Sequence, residues 1–418
     1  MGLRVAYLRM TSPFRKQGIS APALALTLVC LMVPIAPPRA TAMSTIDFLT
    51  SLSDSEIEAF QVWKTARQNF EEKLDAYWDA VEQKRTLRKR KRAKDIPFSA
   101  NDYVMSFPPK YGGPSLSGSL ASKYGRFLDA QREANPSPSR ELATIPDYLA
   151  AAKRVYNFVP ERVTEKEFKL RYASEAAALG LSKEQVVRVY ALETGGVGTY
   201  DTQAGIHPIK KTGRAISSAI GYGQLLDANS INELARSGPT FIRLLTARYH
   251  DPRNSPARKA LLRHKLVVLK KMYANVKHQP FEWHVQQAYA KTQAGMGIHT
   301  LNIDGDIGPM LQAMKLKTLQ DLAAKNGRRS LSGAELELMN LAGPVTGLEM
   351  MDGAGSRAPT SNFFSRRAYY VNKMVMGLTG SQLQAELDRR MTHALTTPGS
   401  LEFANAFDAV EARREAER

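Results

Sequence analysis

Cysteine is nearly absent from this chain of 418 residues, which contains only Cys30. That residue lies in an apolar stretch near the N-terminus, so the rest of the chain can form no disulfide and offers no thiol nucleophile. The sequence also has no HExxH zinc motif, no glycine-rich phosphate loop and no G-x-S-x-G nucleophile elbow. Thiol, zinc-peptidase, nucleotide-dependent and serine-hydrolase chemistries are therefore not indicated.

Alternation of β-branched with polar residues is scarce, whereas Ala, Leu, Glu, Lys, Arg and Gln occur throughout. This balance predicts a mainly α fold, and 418 residues are too many for one ordinary core. Stretches rich in Pro, Gly and Ser at 107–119 and 134–140 mark linkers. We predict an N-terminal helical region over 43–140, a main domain over 141–380, and a C-terminal helix and tail over 381–418, opened by a capping box at Ser381.

The N-terminus has the composition of a secretory signal peptide over residues 1–42. Arg15 and Lys16 precede the apolar core Ala21–Ile35 as a positive region, and small residues up to Ala42 predict cleavage after that position. The core is shorter than the roughly 20 residues of a membrane span. An uncleaved anchor helix is the alternative. We predict an exported, periplasmic protein.

The net charge of the chain is +18, and residues 1–42 supply five of these positive charges and no acid. The exported part would then carry +13 and favour an anionic partner such as peptidoglycan or anionic lipid. Nucleic acid is not expected, because it conflicts with export. The basic run Lys84–Lys94 could bind an acidic polymer, but such a run is more often a solvated helix end, which is the interpretation we favour.

A helix with clear ends carries the main candidate residue. Ser182 and Gln185 form a capping box at its start, and Gly195 with Gly196 ends it. Helical spacing places Glu193 on the same inward stripe as the apolar residues near the helix start. Burial and the negative end of the helix both raise a carboxyl pKa, which suits a general acid. A buried Glu paired with an Arg is the structural alternative.

A loop of small residues follows, "SAIGYGQ" over Ser218–Gln224. Its glycines would let backbone approach a ligand closely. Gln224 offers a donor and an acceptor, as a sugar N-acetyl group requires. Alone, a glycine turn before a helix is a weak signal.

Together, these pieces resemble the lytic transglycosylases of the goose-type lysozyme-like superfamily, of the soluble type. That family has a helix ending in Glu, then a "GA-x-G-L-M-Q" loop, then "A-Y-N-A-G". Glu193 matches the catalytic glutamate. In the loop, Ala219, Gly221 and Gln224 agree, while Tyr222 and Gly223 replace Leu and Met.

The third motif is matched less closely. "TQAGMG" over Thr292–Gly297 has Thr292 for the family's Tyr and Gln293 for its Asn, and Tyr289 could supply the missing tyrosine contact. "NLAGP" over Asn340–Pro344 is a second match, ranked below the first. The resemblance covers about residues 181–297. It implies a lysozyme-like helical catalytic domain over the main domain, with the substrate-binding residues Gln224, Tyr222, Ser218, Gln293 and Tyr289.

The implied activity is cleavage of the β-1,4 bond between N-acetylmuramic acid and N-acetylglucosamine in peptidoglycan. Glu193 would act as acid and then as base, giving 1,6-anhydromuramyl products without metal or organic cofactor. A hydrolytic muramidase is the alternative enzyme; it needs a second carboxylate, for which Asp201 is the first candidate and Asp227 the next. A non-catalytic peptidoglycan-binding scaffold is the other alternative. An envelope-spanning protein assembly is a further expected partner.

Two other segments have alternative interpretations. "IDGDIGPMLQAM" over Ile303–Met314 resembles peptidoglycan-binding modules, although a turn that caps a helix is favoured. The aromatic and basic segment Ala358–Lys373 could line a saccharide groove through Tyr369, Tyr370 and Asn372, but aromatic residues at this density more often form core.

Overall fold

The computed structural model describes residues 43–135 and 141–417. The predicted signal peptide, with Cys30 and the expected cleavage point, lies outside these residues. None of the helices in the described part of the chain combines the length and the apolarity that a membrane span requires. Export and cleavage after Ala42 stay predictions.

The described residues are mostly helical and form no β-strand, which confirms the prediction of a mainly α fold. They contain the following α-helices: α1 (Thr45–Thr50), α2 (Asp54–Arg92), α3 (Gly118–Ala134), α4 (Ile145–Tyr156), α5 (Glu165–Ala178), α6 (Lys183–Thr194), α7 (Asp227–His250), α8 (Pro256–Val276), α9 (Trp283–Ala290), α10 (Gln293–His299), α11 (Ile307–Lys325), α12 (Gly333–Ala342), α13 (Pro344–Met351), α14 (Gly353–Arg357), α15 (Arg366–Val371), α16 (Gly380–Ala394) and α17 (Pro398–Ala416). Short 3₁₀ helices occur at Ala100–Asp102, Thr300–Ile303 and Thr360–Asn362.

The chain divides into two units. The described part of the smaller unit comprises residues 43–51 and 122–135, where Phe48 of α1 stacks on Phe127 of α3 with the ring centroids 4.9 Å apart. The larger unit comprises residues 52–121 and 141–417 of the described chain. The boundary that we predict at residue 380 falls inside this larger unit.

Two apolar clusters fill the larger unit, and α11 contributes to both. Leu316 and Leu319 of this helix belong to the cluster that α5, α6, α12, α16 and α17 surround. Met310 and Leu311 belong to the cluster formed with α4, α7, α8 and α10. Residues 307–313 of α11 are buried without interruption, so the first half of this helix is central, whereas its second half carries polar and exposed residues. Helix α12 packs on α11, and α6 packs on α12.

Helix α2 packs on the segment that follows α14. Trp78 makes an edge contact with Tyr369, whose ring centroid is 5.6 Å away. Arg88, in the basic run, is only 2% exposed. Its Nε lies 2.7 Å from Glu349 Oε1, and its guanidinium donates to the backbone oxygen of Asn362 at 2.8 Å. The prediction of a solvated helix end is therefore wrong for Arg88, because a carboxylate and carbonyl groups distant in sequence satisfy its charge.

The start of α16 also differs from the expectation. Thr379, not Ser381, is the N-cap: its hydroxyl accepts from the backbone N–H of Gln382, and the Gln382 side chain accepts from the backbone N–H of Thr379. Both threonine and serine followed three residues later by glutamine fit the capping-box pattern, so the sequence left two registers open.

Candidate active site

Helix α6 presents Glu193 in its last turn. The Ser182 hydroxyl accepts from the backbone N–H of Gln185, whose side chain accepts in return from the backbone N–H of Ser182. Gly195 ends the helix in the left-handed region at φ 62°. Both predicted ends of this helix are confirmed. Glu193 itself is partly exposed, and it lies where α6 packs on α12.

A second carboxyl and an amide from α12 contact Glu193. The Asn340 Nδ2 donates to Glu193 Oε1 at 3.1 Å and lies 3.4 Å from both carboxyl oxygens of Glu337. The carboxyl groups of Glu193 and Glu337 also lie in hydrogen-bonding contact with each other. Glu337 is only 1% exposed, so its carboxyl group has almost no contact with bulk solvent. The three side chains form one hydrogen-bonded cluster.

Because of this contact, the carboxyl groups of Glu193 and Glu337 have different pKa values. Burial raises the pKa of Glu193 to about 7, while the hydrogen bonds from Glu337 and Asn340 act in the opposite direction. Burial and the adjacent Glu193 carboxyl raise the pKa of Glu337 well above its usual range. Two carboxylates in contact cannot both ionise. Near neutral pH, Glu337 therefore stays protonated, and Glu193 exchanges its proton within the range where a general acid–base residue works best.

Further buried charges stand behind the two acids. Lys315 of α11 is 9% exposed and faces the carboxyl groups of Glu337 and Glu233. Burial lowers the pKa of Lys315, and these two carboxyls oppose that effect. Glu233 of α7 is 1% exposed, burial raises its pKa, and it accepts from the Thr318 hydroxyl at 3.3 Å. The ammonium of Lys315 offsets part of the negative charge that the cluster can acquire.

The two glycines after Glu193 have different environments. Gly195 has open space where a side chain would lie. A Cβ on Gly196 would meet Thr397 and Ser400 at the start of α17, and the Thr397 hydroxyl donates to the Gly196 oxygen at 2.9 Å. Of the two glycines, only Gly195 therefore leaves space that a sugar could occupy. Gly196 is required for close packing of α17.

The loop Ser218–Gln224 is joined to α6 through two tyrosine rings. Tyr222 makes an edge contact with Tyr190, one turn before Glu193, with a centroid distance of 4.7 Å. Gln312 of α11 accepts from the Gly223 N–H at 3.2 Å and lies against Gly221, which has φ 85°. A side chain at Gly221 would collide with Gln312, so this glycine allows the loop to approach α11.

Within this loop, Tyr222 is buried and structural contacts occupy it. It is 1% exposed, and its hydroxyl donates to Glu165 Oε2 at 2.5 Å. The Gln224 amide donates to the backbone oxygens of Gly221, at 2.7 Å, and Thr202, at 3.1 Å. The Ser218 hydroxyl accepts from the backbone N–H of Asp227, at 3.2 Å. Substrate contacts by these three side chains stay predictions. The burial of Tyr222 does not favour a contact between this residue and a substrate.

The first-ranked match to the third motif lies on α10, which packs mainly on α4. Gln293 pairs with Arg154. Tyr289 is partly buried and lies in hydrogen-bonding contact with Tyr156 of α4. Neither residue has a contact to Glu193 among those described. Asn340, from the second-ranked match, is the residue that the structure brings to the glutamate.

Asp201, proposed above as a second carboxylate, is bound by cations. Lys211 Nζ lies 2.8 Å from its Oδ1, Arg162 pairs with its Oδ2, and the Thr199 hydroxyl donates to Oδ1 at 2.6 Å. Although burial acts to raise it, the pKa of Asp201 is lowered by these hydrogen bonds and charges. Asp201 is therefore a firmly ionised group. Asp227 begins α7 and lies beside Ser218 at the wall of a cavity of about 500 Å³.

Of the two other segments, the one that leads into α11 is internal, whereas the aromatic segment is exposed over most of its second half. Asp304 and Asp306 are buried and surround Lys265 Nζ at 3.0 and 2.7 Å, while Asp304 Oδ1 accepts from the backbone N–H of Ile307 at the start of α11. This confirms the helix-capping turn and leaves these carboxylates no surface for a polymer. In the aromatic segment, Tyr369 is 3% exposed and Tyr370 39% exposed.

Sequence reasoning missed Glu337 and Lys315. The signal for Glu337 is its place inside the apolar run Leu336–Met339, where a solvated carboxylate would not occur, three residues before Asn340 on the same helix. Lys315 stands between Met314 and Leu316 in the same way. An isolated ionisable residue in an apolar helical run was the pattern to follow.

No protein-family model, curated protein or solved structure matches this chain.

Proposed function

We propose that the larger unit is a lysozyme-like helical domain and that the protein is a peptidoglycan lytic transglycosylase with Glu193 as its acid and base. The observation that carries this proposal is the 3.1 Å hydrogen bond from Asn340 to Glu193. It joins Glu193 to Asn340, which belongs to one of the two matches to the third family motif, across 147 positions of sequence. The loop Ser218–Gln224 adds support, because Tyr222 packs it on the helix that carries Glu193.

In the first step, protonated Glu193 donates its proton to the glycosidic oxygen as the bond from that oxygen to C1 of N-acetylmuramic acid breaks. The acetamido group of the substrate stabilises the cationic centre at C1. A pKa of about 7 leaves a large fraction of Glu193 protonated at neutral pH, so the acid is available without an acidic environment.

In the second step, Glu193 is a carboxylate and accepts the proton of the muramyl C6 hydroxyl. The C6 oxygen bonds to C1, which closes the 1,6-anhydro ring and restores the protonated glutamate. No water is consumed, and every proton released is taken up again. One residue with a pKa near the working pH can serve both steps.

A hydrolytic mechanism fits the second carboxyls less well. Glycosidases that use two carboxyl groups hold them roughly 5 to 9.5 Å apart. Glu337 lies in hydrogen-bonding contact with Glu193, which is closer than that, and it is protonated. Asp201 is paired with Arg162 and Lys211. For these reasons the transglycosylase is favoured over the muramidase, with peptidoglycan strands as substrate and an envelope-spanning assembly as a further proposed partner.

The test is digestion of purified peptidoglycan by the full-length protein, by Glu193→Gln and by Glu335→Gln. The last variant is a control on α12, where Glu335 completes the capping box of Ser332 and does not touch Glu193. We expect 1,6-anhydro ends from the wild type and the control, and a loss of at least about 100-fold in Glu193→Gln. Reducing ends would support the muramidase instead. Equal binding without cleavage by all three proteins would support the scaffold.

A further inference from the structure

Glu337 has a role in the cluster that the proposed reaction does not yet use. Its side chain is buried at 1% exposure, on a helix whose neighbouring residues Leu336 and Leu338 are fully buried. A carboxyl group in such a place is unfavourable unless it is neutral or well paired. Among the described residues no ion pair to its carboxyl group is present, and its hydrogen-bond partners are Asn340 and Glu193.

The geometry defines what this acid can do. Asn340 Nδ2 donates to Glu193 at 3.1 Å and stands 3.4 Å from both oxygens of Glu337, so one amide contacts both carboxyl groups. Glu337 and Asn340 are three positions apart on α12 and therefore share a face of that helix. The amide and the acid reach Glu193 from the same side, which leaves the partly exposed side of Glu193 for a substrate.

We propose that Glu337 is a positioning residue, whose carboxylic acid O–H donates a hydrogen bond to Glu193 and holds that glutamate in place through both proton transfers. The catalytic meaning of this inference rests on the proposed function, whereas the hydrogen bond between the two acids does not depend on that function. When Glu193 loses its proton, the O–H of Glu337 stabilises the new carboxylate. When Glu193 regains a proton, Glu337 is still neutral.

The charges around Glu337 agree with this role. Glu193 acts on it from α6 and Lys315 from α11, and that lysine is in turn influenced by the charges of Glu233 and Arg236 on α7. Ionisation of Glu337 beside Glu193 would place two negative charges together in a buried site. The donor lowers the pKa of Glu193 relative to burial alone. Without it, Glu193 would hold its proton to higher pH.

The test is a carbon-13 NMR titration of the Glu193 side-chain carboxyl in the full-length protein, assigned by its loss in Glu193→Gln. In the wild type we expect a midpoint near 7. In Glu337→Leu, which removes the donor at similar volume, we expect the midpoint to rise by about one pH unit, a tenfold change in proton affinity. In Glu337→Gln, whose amide still donates, we expect a midpoint within about 0.3 units of wild type. Glu335→Gln is the control on the same helix.

Three outcomes would overturn the proposal: a wild-type Glu193 midpoint near the ordinary carboxyl value, an unchanged midpoint in Glu337→Leu, or a lower midpoint in that variant, which would mean that Glu337 is ionised. If Glu337→Leu fails to fold, the Gln variant still decides, because a shift of a full unit there excludes a donor role. The same variants assayed on peptidoglycan separate the two proposals. A shifted titration without any wall cleavage keeps the positioning role and refutes the transglycosylase.

Discussion

Asn340 Nδ2 lies 3.1 Å from Glu193 Oε1, although 147 positions separate the two residues in the sequence. The contact joins the C-terminal turn of α6 to the C-terminal part of α12. It also selects between two segments that resemble the same family motif. The segment around Gln293 is the first-ranked match, but only the segment around Asn340 reaches the glutamate.

Replacement of the amide tests this selection. Asn340→Ala removes a donor to a group that becomes charged during the reaction, which is worth about 1.5 to 3 kcal/mol. We therefore expect wall-cleaving turnover to fall roughly 10- to 100-fold, with near-wild-type unfolding temperature. Gln293→Ala is the companion variant, because Gln293 pairs with Arg154 on the face of α4. Both are measured by release of soluble muropeptides. A large loss in Gln293→Ala together with normal turnover in Asn340→Ala would restore the first match.

The raised pKa of Glu193 predicts that this residue destabilises the fold at high pH. Its pKa is about 7 when folded and near 4.5 when unfolded, so the folded state binds its proton more tightly. The free energy of unfolding should decrease as pH rises from about 4.5 to 7, by an amount on the order of 3 kcal/mol. Below about pH 4.5, Glu193 is protonated in the folded and the unfolded state, so it no longer makes the free energy of unfolding depend on pH.

Glu193→Gln should accordingly be more stable than wild type at pH 8 and equally stable at pH 4. Urea unfolding at the two pH values measures the difference, and Glu335→Gln provides the comparison with a glutamate at the helix start. A stability gain that is the same at pH 4 and pH 8 would show that titration of Glu193 is not its cause.

Asp201 decides between the lyase and the hydrolase. Its carboxylate is held by Lys211 and Arg162, so it is placed to fix the loop after α6 rather than to activate water. We expect Asp201→Asn to keep the ratio of anhydro to reducing ends and to lose no more than about 1 kcal/mol of stability, since these pairs are partly exposed. Mass spectrometry of the muropeptides measures the ratio. Selective loss of reducing ends in this variant would assign Asp201 to hydrolysis.

The two glycines after Glu193 form a matched pair. Both have positive φ, 62° for Gly195 and 67° for Gly196, and alanine in that region is disfavoured by about 1 to 2 kcal/mol. A Cβ on Gly195 meets nothing within 4 Å, whereas on Gly196 it would lie 2.7 Å from Ser400 Oγ and collide with Thr397. We expect Gly195→Ala to lose about 1 kcal/mol and Gly196→Ala roughly 2 to 4 kcal/mol. Chemical denaturation compares them, and equal losses would contradict the close packing of α17.

Local signals were sufficient for much of the framework. Ser182 and Gln185 at one end and Gly195 at the other define α6, because caps and left-handed glycines act within a few residues. The turn before α11 was predicted for the same reason. The register of α16 was not, since Thr379 and Ser381 both satisfy one short pattern.

The partners of the candidate site could not be predicted, since they come from distant parts of the chain. Nothing near Arg88 in sequence reveals that Glu349 neutralises it, and nothing near Tyr222 reveals that Glu165 accepts a hydrogen bond from its hydroxyl. The contact between Glu337 and Glu193 likewise joins residues that are far apart in sequence. Burial of an ionisable side chain can be inferred from an apolar run, but its partner depends on how the helices pack.

The hydrogen bond from Thr397 to the Gly196 oxygen spans 201 positions of sequence. The turn after Glu193 is therefore closed by a segment that leaves the ribosome long after α6 has been made. Contacts of such separation form slowly in folding, because they wait for a large loop to close. The acid residue thus reaches its final surroundings only when α17 has docked, and an incompletely synthesised chain would carry Glu193 in an open and unfinished helix end.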